Sequence, residues 1–318
     1  MEDTSPVRAL PIPGVLVSRP ALQRIVAIAR AIPDIGDSFG FECRLGPAAG
    51  VVDLGIALRR RARVLRVDAP APDPAWRRFS MFCRAWSDPT SLLHSWIPFV
   101  FLEFDADVPS DPIPVPSVFV SLDWPIVDPA EPEAEQGVRS LTTAVVHDAL
   151  YLLLGPNGLA PFAANLGACI DALPDSGRVL HAGAMLGRSA CGARLSIAMP
   201  RAAQVGYLER FGLGRSAGIV ESVMATLAPT DDRVHLELDV TETIGPRIGV
   251  VLACDRPEGW AELLARLDAE RFCTADERAE LMRWPISHLK ITPAPSGMRE
   301  AKAYLNLPRS SDENGLSR

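Results

Sequence analysis

The sequence lacks the signatures of several common protein classes. No apolar run approaches the roughly 20 residues that a membrane-spanning helix needs, and the N-terminal MEDTSPVRALPIPG has no apolar core of the kind found in signal peptides. The six cysteines form no CxxC pair and no cluster with histidine at metal-binding spacing. These absences predict a soluble cytoplasmic protein with free thiols, and neither a disulfide framework nor a zinc site.

The common catalytic motifs are absent as well. The sequence contains no Walker A, GxSxG, HExxH or DDxxD motif. The segment GLGRSAG (212–218) is a weak candidate for anion binding, but a turn between two helices explains it equally well. The sequence therefore does not indicate a P-loop enzyme, a serine hydrolase, a metalloprotease or an all-helical terpene enzyme.

Positive charge is scarce, and lysine is the scarcest part of it. The net charge is −7 and the isoelectric point is near 5.3, which argues against a nucleic-acid partner. Of the 32 basic residues only Lys290 and Lys302 are lysines. A chain that otherwise uses arginine and keeps lysine at these positions suggests that a compact ammonium group suits them. Surface positions near the C-terminus are the alternative interpretation.

What the sequence does contain is a fivefold repetition of paired short segments with alternating polarity. Each pair is joined by a turn and separated from the next by helical sequence, which predicts ten strands in five hairpins. The pairs are SFGFECRL (38–45) with VVDLGIAL (51–58), PFVFLEFD (98–105) with PSVFVSLD (116–123), VLHAGAML (179–186) with ARLSIAMP (193–200), RVHLELDV (233–240) with RIGVVLAC (247–254), and SHLKIT (287–292) with EAKAYLNL (300–307).

No composition break divides the chain, so we predict one domain over residues 19–308. Residues 1–18 are expected to be a flexible N-terminal segment and residues 309–318 a disordered tail. The acidic, proline-rich stretch 125–137 is expected to be an exposed loop. Helices are predicted near residues 18–32, 73–86, 137–154, 158–173, 257–267 and 274–284, with a further pair within 201–228.

The strands carry polar side chains on one face only. In the last segment, Glu300, Lys302 and Tyr304 alternate with alanine and leucine. An open sheet with a solvated polar face is one interpretation. About ten strands tend to curl and close, however, and closure with helices outside would place the polar faces in a lumen.

This order of five helix–hairpin–helix units, together with the AKAYL strand (301–305), resembles the soluble aromatic prenyltransferases of the ABBA or PT-barrel type. The resemblance covers roughly residues 19–308. It implies an α+β fold, a ten-stranded antiparallel β-barrel ringed by α-helices. It also implies transfer of an allylic prenyl group from a prenyl diphosphate to an aromatic or other small-molecule or peptide acceptor in secondary metabolism. The Lys-x-Tyr strand is similar to the strands that hold diphosphate in the indole-prenylating branch.

Phosphate oxygens need charge-assisted donors, and five residues on the predicted polar faces supply candidates. For each, a structural ion pair or a packing role is the alternative. The candidates for binding diphosphate are Arg44, Arg194, Lys290, Lys302 and Tyr304. Phe119 is the aromatic residue that we expect to face the lumen.

Acidic residues outnumber these basic groups. The polar faces carry Glu42, Asp53, Glu103, Asp105, Glu237, Asp239 and Glu300. We expect Glu103 or Glu237, which occupy matching places in LEFD and LELD, to be the catalytic base that removes the acceptor's proton. A buried ion-pair network is the alternative. The acid surplus departs from the basic diphosphate sites of the family and is also suited to Mg²⁺ or to a cationic acceptor. No cofactor is certain.

Two other functions remain open from the sequence. A five-bladed propeller hydrolase that modifies guanidino groups also repeats five times, but it needs a nucleophilic cysteine in a strand, and Cys273 lies just before a predicted helix. A noncatalytic barrel that binds a small molecule or peptide fits the acid-rich, aromatic-poor lumen. In either case we expect a cytoplasmic monomer without a nucleic-acid or membrane partner.

Overall fold

The computed structural model describes residues 14–31, 36–60, 73–105, 114–123, 132–187, 192–228, 234–293 and 299–307. The predicted tail 309–318 and most of the predicted N-terminal segment 1–18 lie outside these ranges. Within that segment, the described Val17 forms a parallel bridge with Gly50. Most of the predicted loop 125–137 also lies outside the described residues.

The described residues form ten α-helices and ten strands. The helices are α1 (Arg19–Ala31), α2 (Pro74–Ser87), α3 (Leu92–Trp96), α4 (Pro132–Leu154), α5 (Pro156–Leu159), α6 (Ala163–Asp171), α7 (Arg201–Glu209), α8 (Gly214–Leu227), α9 (Pro257–Ala269) and α10 (Ala275–Leu281). The strands are β1 (Ser38–Arg44), β2 (Val52–Arg59), β3 (Phe99–Phe104), β4 (Ser117–Ser121), β5 (Arg178–Ala184), β6 (Ala193–Ala198), β7 (Val234–Val240), β8 (Ile244–Leu252), β9 (Ile286–Pro293) and β10 (Arg299–Leu307).

The ten strands close into one antiparallel barrel. Each strand pairs with its neighbours in sequence, and β10 returns to pair with β1, so that Glu42 lies opposite Tyr304 and Arg44 opposite Lys302. This closure confirms the predicted barrel and rules out both the open sheet and the propeller. Full closure also removes the unpaired strand edges that an open sheet would expose.

The apolar faces of the strands point outward and are covered by the helices. Leu54, Leu102 and Leu236 are fully buried there, and the same core includes Phe79 and Phe82 of α2. The two faces of the sheet therefore see different surroundings, which explains the alternation in the sequence. None of the described helices combines the length and hydrophobicity that a bilayer span requires.

The helix ends follow local sequence signals. Asp73 caps α2 by accepting from the backbone N–H of Ala75 at 2.7 Å, with Pro74 at the first helical position. Thr274 and Glu277 form the capping box of α10. Glu277 also accepts from the backbone N–H of Gly46 at 3.0 Å, which connects α10 to the β1–β2 turn.

Two local predictions were wrong, and one short helix was not predicted. The segment 132–137 begins helix α4 instead of belonging to a loop, because Pro132 stands at a first helical position, where a proline is favoured. The predicted helix 158–173 is divided into α5 and α6 by a turn at residues 160–162. Helix α3 was not predicted, since its five residues are too few for a periodic pattern.

Candidate functional site

The polar faces of the strands enclose a chamber in the barrel lumen. Its empty volume is about 950 Å³, mouth included. Strands β1–β7, β9 and β10 contribute lining residues, and the chamber lies toward the end of the barrel where β1 begins and β10 ends. Alternation along each strand thus brings side chains that are far apart in sequence into one enclosed volume.

One side of the chamber holds an ion-pair cluster formed by Arg194, Glu237, Asp239 and Lys290, here called the Lys290 cluster. The ammonium of Lys290 contacts the Glu237 carboxylate, which also lies 3.8 Å from Nε of Arg194. The Arg194 guanidinium donates two hydrogen bonds to Asp239, at 2.6 and 3.2 Å. Arg194, Glu237 and Lys290 line the chamber.

The pKa values of this cluster follow from burial and from the charges present. Burial raises the pKa of Glu237, but Lys290 and Arg194 outweigh it and bring the pKa to about 2. Burial lowers the pKa of Lys290, with Glu237 opposing and Arg194 adding to the decrease. Glu237 is therefore an anion held by two cations, which makes it a weak base.

A second group, the Lys302 cluster, consists of Glu42, Arg44, Asp53, Glu300 and Lys302. The Lys302 ammonium donates to Glu42 and lies 3.9 Å from Glu300. Arg44 lies 3.6 Å from the Asp53 carboxylate and 3.4 Å from that of Glu300. Of these five residues only Glu42 lines the chamber, so the cluster forms a charged floor beneath it.

In the Lys302 cluster, burial and the neighbouring charges shift the pKa values differently from those of the Lys290 cluster. Burial lowers the pKa of Lys302, but Glu42 and Glu300 outweigh it, and the net pKa is raised. Asp53 has no exposed surface. Burial and the neighbouring Glu42 raise its pKa to about 7 against the opposing effects of Lys302 and Arg44. The floor therefore holds one carboxyl group that keeps its proton to a higher pH than an ordinary aspartate.

Three carboxylates converge between the floor and the chamber. One oxygen each from Glu42, Asp53 and Glu103 lies within 4.8 Å of the others. Carboxylate oxygens are the ligands that Mg²⁺ prefers. Lys302 already donates to Glu42, however, and Arg44 lies near Asp53. Cations of the chain thus already lie against this group of carboxylates.

Aromatic rings lie on two sides of the chamber. On one side, Phe101 of β3 lies beside its register partner Phe119 of β4, and the Phe101 ring meets the His181 ring edge-on at 5.7 Å. On the other side, the His288 and Tyr304 rings stack at 4.0 Å with a 20° angle. Tyr304 and Glu42 shift each other's pKa: the Tyr304 hydroxyl helps to lower that of Glu42, and Glu42 helps to raise that of Tyr304. These rings give the chamber apolar surface next to its charged side.

The residues predicted from the sequence separate into two groups. Those that line the chamber are Glu103, Phe119, Arg194, Glu237, Lys290 and Tyr304. Arg44 and Lys302 belong to the floor. Their proposed roles in binding or catalysis stay predictions.

Sequence reasoning missed the chamber positions of Phe101 and His181 and did not assign a role to His288. The signal for Phe101 was available, because it alternates with Glu103 along β3. His181 was harder to place, since β5 carries a register shift between Val179 and His181 that no motif announces.

Cys273 does not resemble the nucleophile of the hydrolase alternative. Its thiol is buried and donates to the Leu264 carbonyl at 3.8 Å. Burial raises the pKa of this thiol to about 12, which leaves it protonated at neutral pH.

No protein-family model and no curated protein matches this sequence. Solved structures do match in fold. The crystal structure of AnaPT from Neosartorya fischeri has a TM-score of 0.54 at 12% identity, covering 88% of this chain and 80% of AnaPT. The apo form of the prenyltransferase PriB has a TM-score of 0.54 at 15% identity, covering 91% of this chain and 90% of PriB.

PriB has also been solved as a ternary complex with L-tryptophan and dimethylallyl thiolodiphosphate. That structure has a TM-score of 0.53 at 15% identity and covers 93% of this chain and 94% of PriB. At these identities the likeness concerns the fold, and it confirms the PT-barrel architecture that the repeat order and the AKAYL strand predicted.

Proposed function

We propose that this protein transfers an allylic prenyl group from a prenyl diphosphate to an acceptor bound in the chamber. The acceptor is an aromatic compound or another small molecule or peptide of secondary metabolism. One observation carries the proposal: the closed barrel encloses a chamber with Lys290 and Arg194 on one side and Phe101 and Phe119 on another. The PriB complex with a diphosphate analogue and an aromatic amino acid in the same fold supports it.

Lys290 and Arg194 are the proposed primary ligands of the diphosphate. Both line the chamber, and both are now satisfied by carboxylates. A diphosphate carries more negative charge than Glu237 and offers more acceptor oxygens, so it competes for Lys290. Tyr304, which also lines the chamber, is a further proposed ligand, and Arg44 and Lys302 are proposed ligands that a diphosphate would reach at the floor.

The proposed reaction uses the chamber to separate charges. The carbon–oxygen bond of the prenyl diphosphate breaks, and the leaving group takes the electron pair to the cationic side chains. The allylic cation forms beside the rings of Phe101 and Phe119, where a ring carbon of the acceptor attacks it. Glu103 or Glu237 then accepts the proton lost from that carbon. Lys290 and Arg194 hold Glu237 as a weak base, which counts against Glu237 in this role.

Two measurements test this proposal. Calorimetric titration with dimethylallyl or geranyl diphosphate should show binding, and incubation with tryptophan or indole should give a product that carries one prenyl group. Both experiments are run with and without Mg²⁺, because Mg²⁺ would reduce the charge mismatch between the diphosphate and the acid-rich lumen. Absence of diphosphate binding under both conditions would overturn the proposal.

A noncatalytic binding barrel is the second candidate. It is favoured by the ion pairs themselves, because each lysine of the lumen already contacts a glutamate. This function predicts that the chamber binds an aromatic compound tightly, while diphosphate neither binds nor competes. The same titrations therefore distinguish the two candidates. For both we propose a cytoplasmic monomer without a nucleic-acid partner, in line with the net charge of −7.

A further inference from the structure

A short hydrogen-bond chain on β9 and β10 fixes the state of the His288 ring. The Ser287 hydroxyl oxygen lies 3.1 Å from the Tyr304 backbone carbonyl and 3.0 Å from Nδ1 of His288. A carbonyl only accepts, and a serine hydroxyl has a single proton to donate. Both contacts are hydrogen bonds only if Ser287 donates to Tyr304 and Nδ1 of His288 carries the proton. Nε2 of His288 is then a bare acceptor.

The ring that carries this acceptor is part of the chamber wall, and it lies flat on Tyr304 at 4.0 Å. Within the described residues, the only hydrogen bond of the ring is the one from Nδ1 to Ser287. A ligand in the chamber therefore meets a hydrogen-bond acceptor in the plane of a fixed aromatic ring.

The charged groups around His288 keep the ring neutral. Burial lowers its pKa to about 4, with Lys290 and His181 lowering it and Glu237 and Glu42 raising it. The two glutamates that face the ring are themselves engaged by lysines, Glu237 by Lys290 and Glu42 by Lys302. His288 is thus an uncharged acceptor between two compensated carboxylates.

We propose that Nε2 of His288 accepts a hydrogen bond from the N–H or O–H group of a neutral, flat aromatic acceptor and so determines which acceptors bind. The uncharged His288 ring suits an uncharged N–H or O–H donor, because neither group has to be desolvated as an ion when the two meet. The identification of this ligand as the prenyl acceptor rests on the proposed function, whereas the hydrogen bond itself does not.

Indole and N-methylindole are the matched probes, because they share a ring and differ in the N–H group. Wild-type protein should bind indole about five-fold more tightly than N-methylindole, the effect of one hydrogen bond. His288→Phe keeps a flat ring against Tyr304 but removes the acceptor, so the preference should vanish. Ser287→Ala releases the tautomer and should reduce the preference without abolishing it. His147→Phe, on the exposed surface of α4, is the control and should retain it.

Equal affinities of the wild type for the two probes, or an unchanged preference in His288→Phe, would overturn the assignment. If His288→Phe does not fold, ring-nitrogen NMR of the wild type replaces it: indole should shift the Nε2 resonance, N-methylindole should leave it unchanged, and identical spectra refute the proposal. These experiments also distinguish failure of the proposed function from failure of the role assigned to His288. A protein that shows the His288-dependent preference but never binds diphosphate is no prenyltransferase, and one that transfers prenyl groups with no such preference refutes only the role of His288.

Discussion

Lys290 and Lys302 are partners across β9 and β10, yet their surroundings give them opposite properties. Each contacts a glutamate, Glu237 and Glu42 respectively. Burial lowers the pKa of both, and the net pKa falls for Lys290 and rises for Lys302. The difference arises because Lys290 also faces Arg194 and Lys302, whereas Lys302 also faces Glu300 and Glu103.

Position reinforces this difference in charge. Lys290, Arg194 and Glu237 line the chamber, while Lys302 lies in the floor, together with Asp53. The Lys290 cluster is thus within reach of a ligand, and its two cations are matched by two carboxylates. The Lys302 cluster has a surplus of negative charge, so its lysine is needed within the protein. The same residue type, one strand apart, is suited to binding in one cluster and to structure in the other.

The largest expected effect is on the free energy of unfolding, and it tests whether Lys302 stabilises the protein more than Lys290 does. Lys302→Met leaves Glu42 buried without its lysine and should lower the free energy of unfolding by about 3–5 kcal/mol. Lys290→Met should lower it by less, because Glu237 keeps Arg194. Urea denaturation measures both. Combining Lys302→Met with Glu42→Leu removes the buried pair and should recover most of the loss. Equal losses in the two single variants would contradict the comparison.

The next effect concerns affinity for dimethylallyl diphosphate. Lys290→Met should weaken binding about 10- to 100-fold, the range expected for a hydrogen bond to a charged group. Lys302→Met should weaken it less, since Lys302 acts from the floor. Calorimetry on both folded variants gives the ratio. If the losses are equal, the diphosphate penetrates to the floor and the sequence prediction that treated both lysines alike is the better one.

A smaller effect is the pH dependence that Asp53 contributes. Its pKa is about 7 in the folded protein and 3.8 in the unfolded chain, so the folded state binds more protons between these values. Stability from this group is therefore full below pH 3.8 and is lost as the pH rises toward 7. Asp53→Asn removes this loss, so the wild type should lose stability relative to the variant as the pH rises from 4.5 to 8.

Thermal unfolding from pH 4.5 to pH 8 measures this difference. His181 and His288, whose pKa values are lowered to about 4 mainly by burial, change stability in the opposite direction. They are present in both proteins and cancel in the comparison. Asp239→Asn in the Lys290 cluster is the matched control. A constant difference between wild type and Asp53→Asn across the pH range would refute the raised pKa of Asp53.

Much of the fold could be predicted from the sequence, because strand alternation reports which face is buried. All ten predicted segments are strands within a few residues of their predicted limits. Strand β10 shows why: Ala301 and Ala303 are buried in the core that the strands share with the helices, whereas Tyr304 lines the chamber. Closure followed from the number of strands and the two-sided burial.

The candidate site was only partly predictable, because alternation gives the face of a residue and not whether its side chain reaches the chamber. Lys290 and Lys302 both carry the pattern of a lumen residue and lie opposite each other in the β9–β10 register, yet only Lys290 lines the chamber. The partners of each charge are equally hidden. Glu42 and Lys302 are 260 residues apart in sequence, and no local pattern predicts their contact.

The smallest expected effect lies where the floor cluster reaches solvent. Arg247 on β8 contacts Glu300, and their side chains are 35% and 29% exposed. Water screens this pair, and Arg44 and Lys302 remain near Glu300 if Arg247 is lost. Arg247→Met should therefore change the free energy of unfolding by less than about 1 kcal/mol. Urea denaturation of Arg247→Met and Lys302→Met, measured side by side, tests this expectation. Equal losses of unfolding free energy would mean that the surplus of negative charge in the floor, and not the burial of an ion pair, determines how much each cation stabilises the protein.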